Sequence, residues 1–248
     1  MTIIESLAFL KQQQWIDLTH EVTPRIPYFP SFQPMKEKTL FTVDQDGFYA
    51  KEYTLVTQYG THLDAPIHFS NGKKALEELT VKELFLPLLV LHKEVQVKDN
   101  PDYVVELADI LAFEEEYGLI PPNSFVAFSS GWSKRWHNPE SFYNKDDQGC
   151  AHTPGWSLEA LTFLHEKRNV AGIGHETLDT DSGLDCQKHQ DLIAERYWLS
   201  KNKFQVEVLT QLEKLPATGG VISINVPKIK QSPGFTARVY AIVPNVLE

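Results

Sequence analysis

Apolar and polar positions along the chain follow two periods. Short runs rich in β-branched and aromatic residues fall at residues 53–57, 88–91, 124–128, 170–173, 204–209, 221–226 and 238–243, most of them bounded by Gly, Pro or Asn, and each predicts a strand. Between them the spacing turns helical. Residues 3–13 carry a helical apolar stripe, and Asn100-Pro101 followed by Val104, Val105, Leu107, Leu111 and Phe113 predicts a capped amphipathic helix that Gly118 ends. Residues 157–167 and 187–201 predict two more helices. Strands and helices interleave without strict alternation and without a G-x-G-x-x-G turn, so the pattern predicts an α/β fold with a mixed β-sheet core flanked by helices.

Composition narrows the picture further. A chain of 248 residues can bury a large core, and its 15 prolines are spread along it rather than gathered at a joint, so a single domain over residues 1–248 is expected. The 33 acidic residues against 23 Lys and Arg give a net charge of −10, which repels phosphate backbones and argues against a nucleic-acid partner. The N-terminal MTIIESLAFLKQQQW lacks the basic, apolar and cleavage regions of a signal peptide. The longest apolar run, residues 84–91, is interrupted by Pro87 and too short to cross a bilayer, so a cytoplasmic protein without membrane association is expected. Cys150 and Cys186 stand 36 positions apart with no C-x-x-C companion, which excludes a zinc knuckle and a disulfide framework and leaves a bridge between the two open.

The candidate chemistry lies in QYGTHLDAPIHF, residues 58–69, where Gln58, Gly60, His62, Asp64, Pro66 and His68 share one parity. On an extended chain His62 and Asp64 point the same way, roughly 6.6–6.8 Å apart, and can lean toward one ion. Gln58 would stand about 13 Å from His62 on a flat strand. Gly60 permits the bend that would bring it in, and Pro66 keeps Ala65 extended, which carries His68 to the rim. Even spacing alone also fits the solvent face of a strand. Elsewhere, GWSKRW at residues 131–136 offers two indoles and two cations, either to an aromatic, carboxylate-bearing substrate or as anchors of the loop to the core. Phe29 and Phe32 suit a pocket wall or a subunit contact. His175 and Glu176 follow a strand and can reach a site at its end, Asp179, Asp181 and Ser182 suit turn caps, and His152 and His189 read as turn and surface residues. No G-x-S-x-G motif is present, and neither cysteine has an evident histidine partner.

QYGTHLDAPIHF resembles the H-x-G-T-H-x-D-x-P-x-H signature of the cyclase family of metal-dependent hydrolases, which includes bacterial kynurenine formamidases and isatin hydrolases; six of the seven specified positions are kept. The resemblance runs on through IDLTHEVTPRIPYFP, FSSGW, HTPGWS and FQVEVLTQLEKLP. It implies the family's swivelling β/β/α fold, a homo-oligomer, a small-molecule substrate and hydrolysis of an amide by metal-activated water, with lactone hydrolysis, cyclisation or a catalytically altered binding protein as alternatives. It also implies a metal site of His62, Asp64 and Glu207; His68 is expected as the catalytic proton carrier, because an imidazole, with an ordinary pKa of about 6.5, can take and return a proton. Two positions depart from the pattern: Gln58 stands where the first histidine is expected, and Glu195 where a histidine twelve residues before the glutamate is expected. With His62 the one nitrogen ligand among Gln58, Asp64, Glu195 and Glu207, the site is oxygen-rich, which ranks Mn²⁺ ahead of Zn²⁺ and leaves open whether one ion binds or two.

Overall fold

All the apolar runs except that at 53–57 become strands of one nine-stranded sheet in a computed structural model that describes residues 1–245. Its parallel centre consists of β5 (Phe85–His92), β7 (Phe125–Ser129), β9 (Gly172–Gly174) and β10 (Phe204–Glu207). Antiparallel wings flank it. On one side run β11 (Gly220–Asn225), β13 (Arg238–Val243) and β1 (Gln14–Asp17); on the other, β4 (His62–Asp64) and β12 (Gly234–Thr236). The sheet is therefore mixed, as the pattern predicts. Period-2 alternation feeds two cores. Leu86, Leu88 and Val90 of β5 with Phe125 and Ala127 of β7 face one cluster, and Leu89, Leu91, Val126 and Phe128 face the other. Burial on both faces explains why these parallel strands read as continuous apolar runs.

Helices α1 (Ile3–Lys11), α2 (Val43–Asp46), α3 (Glu94–Asp99), α4 (Leu107–Tyr117), α5 (Pro139–Tyr143), α6 (Leu158–Glu166), α7 (Gly183–His189) and α8 (Ile193–Ser200) complete the fold. Ile110 and Phe113 of α4, Leu161 and Leu164 of α6, and Trp198 and Leu199 of α8 cover one face of the sheet. Two short pairs stand apart: the hairpin of β2 (Lys36–Phe41) and β3 (Ala50–Thr54), and the parallel pair of β6 (Val104–Val105) and β8 (Gly155–Trp156).

Several elements depart from the expectation. Asn100 ends α3 instead of opening a helix, the β-branched Val104 and Val105 pair with Gly155 and Trp156 as a strand, and α4 starts after Glu106, whose N–H donates to Asp109 Oδ2 at 2.8 Å. The helix expected at residues 187–201 breaks at Gln190, which takes a left-handed φ of 52°. The strand expected at 53–57 ends at Thr54, and the one expected at 204–209 ends at Glu207, because Val208 adopts φ 57°. Among the described residues no helix is long and apolar enough to cross a membrane.

Candidate metal centre

Two neighbouring strands build the site. β4 and β10 run antiparallel with His62 opposite Glu207 and Asp64 opposite Gln205, so the alternate residues of both strands project four polar side chains from one face. The resulting cluster is buried: Asp64 and Gln205 are fully inaccessible, and His62 and Glu207 nearly so. His62 Nε2 lies 3.5 Å from Asp64 Oδ2 and 3.3 Å from Glu207 Oε2. Donor atoms of His62, Asp64 and Glu207 all fall within 4.8 Å of one another, and so do those of a second group, Asp64, His68 and Glu195.

Local backbone explains how the later residues arrive. Gly60 takes φ 68°, the bend that returns the chain toward the site, and its carbonyl lies 2.8 Å from His62 Nδ1. Thr57 donates its hydroxyl to Gln58 Oε1, and Gln58 Nε2 donates to Asp64 Oδ1 at 3.2 Å, so Gln58 meets the cluster as a hydrogen-bond partner of Asp64. Ala65 is extended as expected, but Pro66–His68 then forms a single 3₁₀ turn. That turn folds His68 back instead of carrying it onward, and its Nε2 ends 3.9 Å from Asp64 Oδ1 with the side chain 24% exposed. Glu195 enters from the first turn of α8, whose N-terminus is capped across the loop by Asp181: its carboxylate accepts the Ala194 and Glu195 N–H groups at 2.9 and 3.0 Å. Asp181 thus is a cap, though of a helix distant in sequence.

The sequence reading passed over Gln205. Its Nε2 lies 2.8 Å from Glu207 Oε1, 2.9 Å from Glu195 Oε1 and 3.2 Å from Asp64 Oδ2, while its Oε1 accepts the Thr180 hydroxyl at 2.8 Å. The available signal was its parity with Glu207. His175 is also brought in, fully buried, with Nε2 3.5 Å from Glu207 Oε1. Glu176 points away and pins the segment after β7, accepting from the Ser130 and Trp132 N–H groups and the Ser133 hydroxyl. The indoles of GWSKRW are anchors: buried Trp132 donates to the Phe142 carbonyl at 3.0 Å, and buried Trp136 stacks on His20. His189 is exposed, and His152 joins Asp102 at 2.7 Å. Both cysteines are free thiols.

The electrostatics call for a cation. Burial works against a charged His62 imidazole, yet Asp64 and Glu207 outweigh it and hold the group well above its usual value. Burial opposes the Asp64 carboxylate too, but His62 and His68 bring it down to about 2. For Glu195, burial and the charges of Glu207 and Asp64 push the carboxyl well above the usual range. Burial, then Glu207, Asp181 and Asp64, push Asp179 up to about 8. With Nδ1–H committed to the Gly60 carbonyl, the Nε2 lone pair of His62 faces two carboxylates, an arrangement that only a proton or a metal ion makes favourable. Among the described residues Nε2 has no hydrogen-bond partner. The residues present fit a divalent ion.

Above the cluster lies a cavity of about 140 Å³ walled by Phe29, Phe32, Phe69, Leu178 and Leu192, with no Lys or Arg among its lining residues. Phe29 and Phe32 are therefore pocket walls, packed together at 5.3 Å.

Residues 16–182 match the family described as "Putative cyclase". The isatin hydrolase of Roseibium aggregatum is 29% identical over 242 residues, covering 92% of this chain and 91% of that one. A kynurenine formamidase of Geobacillus thermodenitrificans is 32% identical over 128 residues, covering 51% of this chain and 56% of its own. The solved structure of isatin hydrolase A from Ralstonia solanacearum superposes with a TM-score of 0.90 at 29% identity, covering 98% of both chains.

Proposed function

This chain belongs to the Putative cyclase family, and we propose that it is a metal-dependent hydrolase that opens an amide bond, preferably a cyclic one, in a small aromatic molecule. The observation that carries the reading is the buried cluster of His62, Asp64 and Glu207, joined through Asp64 to Glu195, with a histidine lone pair aimed at carboxylates. His62, Asp64 and Glu207 would hold one divalent ion; Glu195 and His68 also approach Asp64, Glu195 as a further oxygen donor and His68 as the proton carrier. The oxygen-rich donors favour Mn²⁺ over Zn²⁺. Bound there, the ion would supply Lewis acidity toward the scissile carbonyl and lower the pKa of water.

The chain's own groups do the rest. Gln58 and Gln205 hold Asp64 from two sides, and Thr180 fixes the Gln205 amide so that its N–H bonds face the carboxylates. His68, at the accessible edge, takes the proton released as water attacks and returns it to the leaving nitrogen. Phe29, Phe32 and Phe69 exclude solvent and pack on the aromatic ring. The lack of a cationic lining residue favours a neutral ring amide such as isatin over an amino-acid-bearing formamide. A homo-oligomer belongs to the same reading, supported by α1, no residue of which is buried, and by exposed Phe41, Phe48, Tyr49 and Tyr53 on the β2–β3 hairpin.

The test is hydrolysis of isatin and of N-formylkynurenine by protein stripped with chelator and then supplied with Mn²⁺ or Zn²⁺. Isatin should be opened fastest with Mn²⁺. Failure to hydrolyse either compound with any divalent ion would remove the assignment.

A further inference from the structure

A second cleft, about 370 Å³, adjoins the cavity above the metal centre. Leu178 and Asp179 line both, and the neighbouring residues Phe29 and Pro30 line the smaller and the larger space respectively. Leu178 and Asp179 thus stand between the two volumes as a shared wall. The smaller volume, about 140 Å³, falls below the roughly 300–1,000 Å³ common for small-molecule sites, whereas the larger lies within it. The lining of the larger cleft combines the rings of Trp132, Phe142 and Tyr143 with the polar Thr153, Thr177 and Gln187 and with Lys145 and Asp179. Trp132 and Phe142 are held in place by packing and by the indole hydrogen bond to the Phe142 carbonyl, so the aromatic wall is preformed.

We propose that the two volumes open to each other past Leu178 and form one bipartite substrate site, in which the reacting ring amide sits beside the metal centre and a second aromatic group occupies the larger cleft, with Leu178 setting how large that group can be. This inference rests on the amide hydrolase reading. It makes the preferred substrate a substituted ring amide instead of the bare ring.

The probes are isatin and isatins carrying a benzyl group on the ring nitrogen or on the benzo ring, assayed with Mn²⁺. For the parent protein, at least one benzylated compound should match or exceed isatin in kcat/KM. Leu178→Trp should lower the ratio of benzylated to bare substrate by about tenfold or more, and Leu178→Ala should raise it. Gln187→Trp, which fills the larger cleft alone, should lower the same ratio and serves if Leu178→Trp does not fold. Exclusion of both benzylated isatins from the parent, or a ratio that none of these variants moves, overturns the proposal. If the parent opens no isatin at all, the hydrolase reading fails by itself. Calorimetric affinities of the same compounds for parent and variants then decide the bipartite site: a benzyl preference lost in the variants supports it, and equal affinities overturn it.

Discussion

Gln205 has two N–H bonds to offer and three carboxylate oxygens within 3.2 Å, so its amide gathers Asp64, Glu195 and Glu207 more closely than their charges alone would allow. Replacing it by alanine should let the carboxylates spread, and by analogy with other partners of metal ligands should weaken Mn²⁺ binding about 10–100-fold in calorimetry. An unchanged affinity would show that the amide only fills space. His68 poses the complementary question. Its return toward Asp64 makes it geometrically able to ligate, while its partial exposure suits a proton carrier. For His68→Ala, we expect retained metal stoichiometry with kcat lowered by roughly 10² to 10⁴-fold. Metal lost in step with activity would make it a ligand instead.

At the scale of elements, the site depends on strand pairing and on one distant cap. The antiparallel register of β4 and β10 sets His62 against Glu207, and a slip of one residue would turn the two polar groups of the slipping strand into the opposite core. On the other side of β4, a Cβ at Gly234 would lie 2.2 Å from the Leu63 carbonyl and 3.1 Å from Asp64 Oδ1, so only glycine lets β12 pair so closely beside the site. Glu195 owes its place to Asp181. Asp181→Ala should uncap α8, lowering stability in urea titrations by about 1 kcal/mol and weakening metal binding along with it. Loss of stability without any change in metal affinity would separate the helix cap from the site.

For the whole molecule, metal and pH should both move the folding equilibrium. An ion at a hundredfold excess over its Kd adds about 2.7 kcal/mol, so melting should occur several degrees higher with Mn²⁺ than with chelator. The increment should shrink as pH falls, because a proton on His62 competes with the ion for the same lone pair. A metal-independent contribution comes from His20. Burial, with His137 nearby, lowers its imidazole to about 4, so the folded state resists protonation that the unfolded chain accepts near 6.5. Its stability contribution is therefore whole above about pH 6.5, drains as pH falls toward 4, and is constant below. Relative to His20→Phe, which keeps the stack on Trp136, the metal-free parent should lose on the order of 3 kcal/mol across that window; parallel stability curves would refute the shift.

Local chemistry by itself determined the mixed α/β class, most of the central strands, the Gly60 bend and the shared face of His62 and Asp64, because strand parity and glycine's access to positive φ depend on neighbouring residues alone. The resemblance in QYGTHLDAPIHF and FQVEVLTQLEKLP further singled out Glu195, Glu207 and His68. What tertiary structure decided is where those residues meet. The return of His68 came from a 3₁₀ turn after Pro66, the break before α8 from a cap supplied by Asp181, and the role of Gln205 from a cross-strand register. Each rests on contacts between residues far apart in the chain, or on a turn whose direction the surrounding packing selects, and a pattern read one segment at a time contains neither.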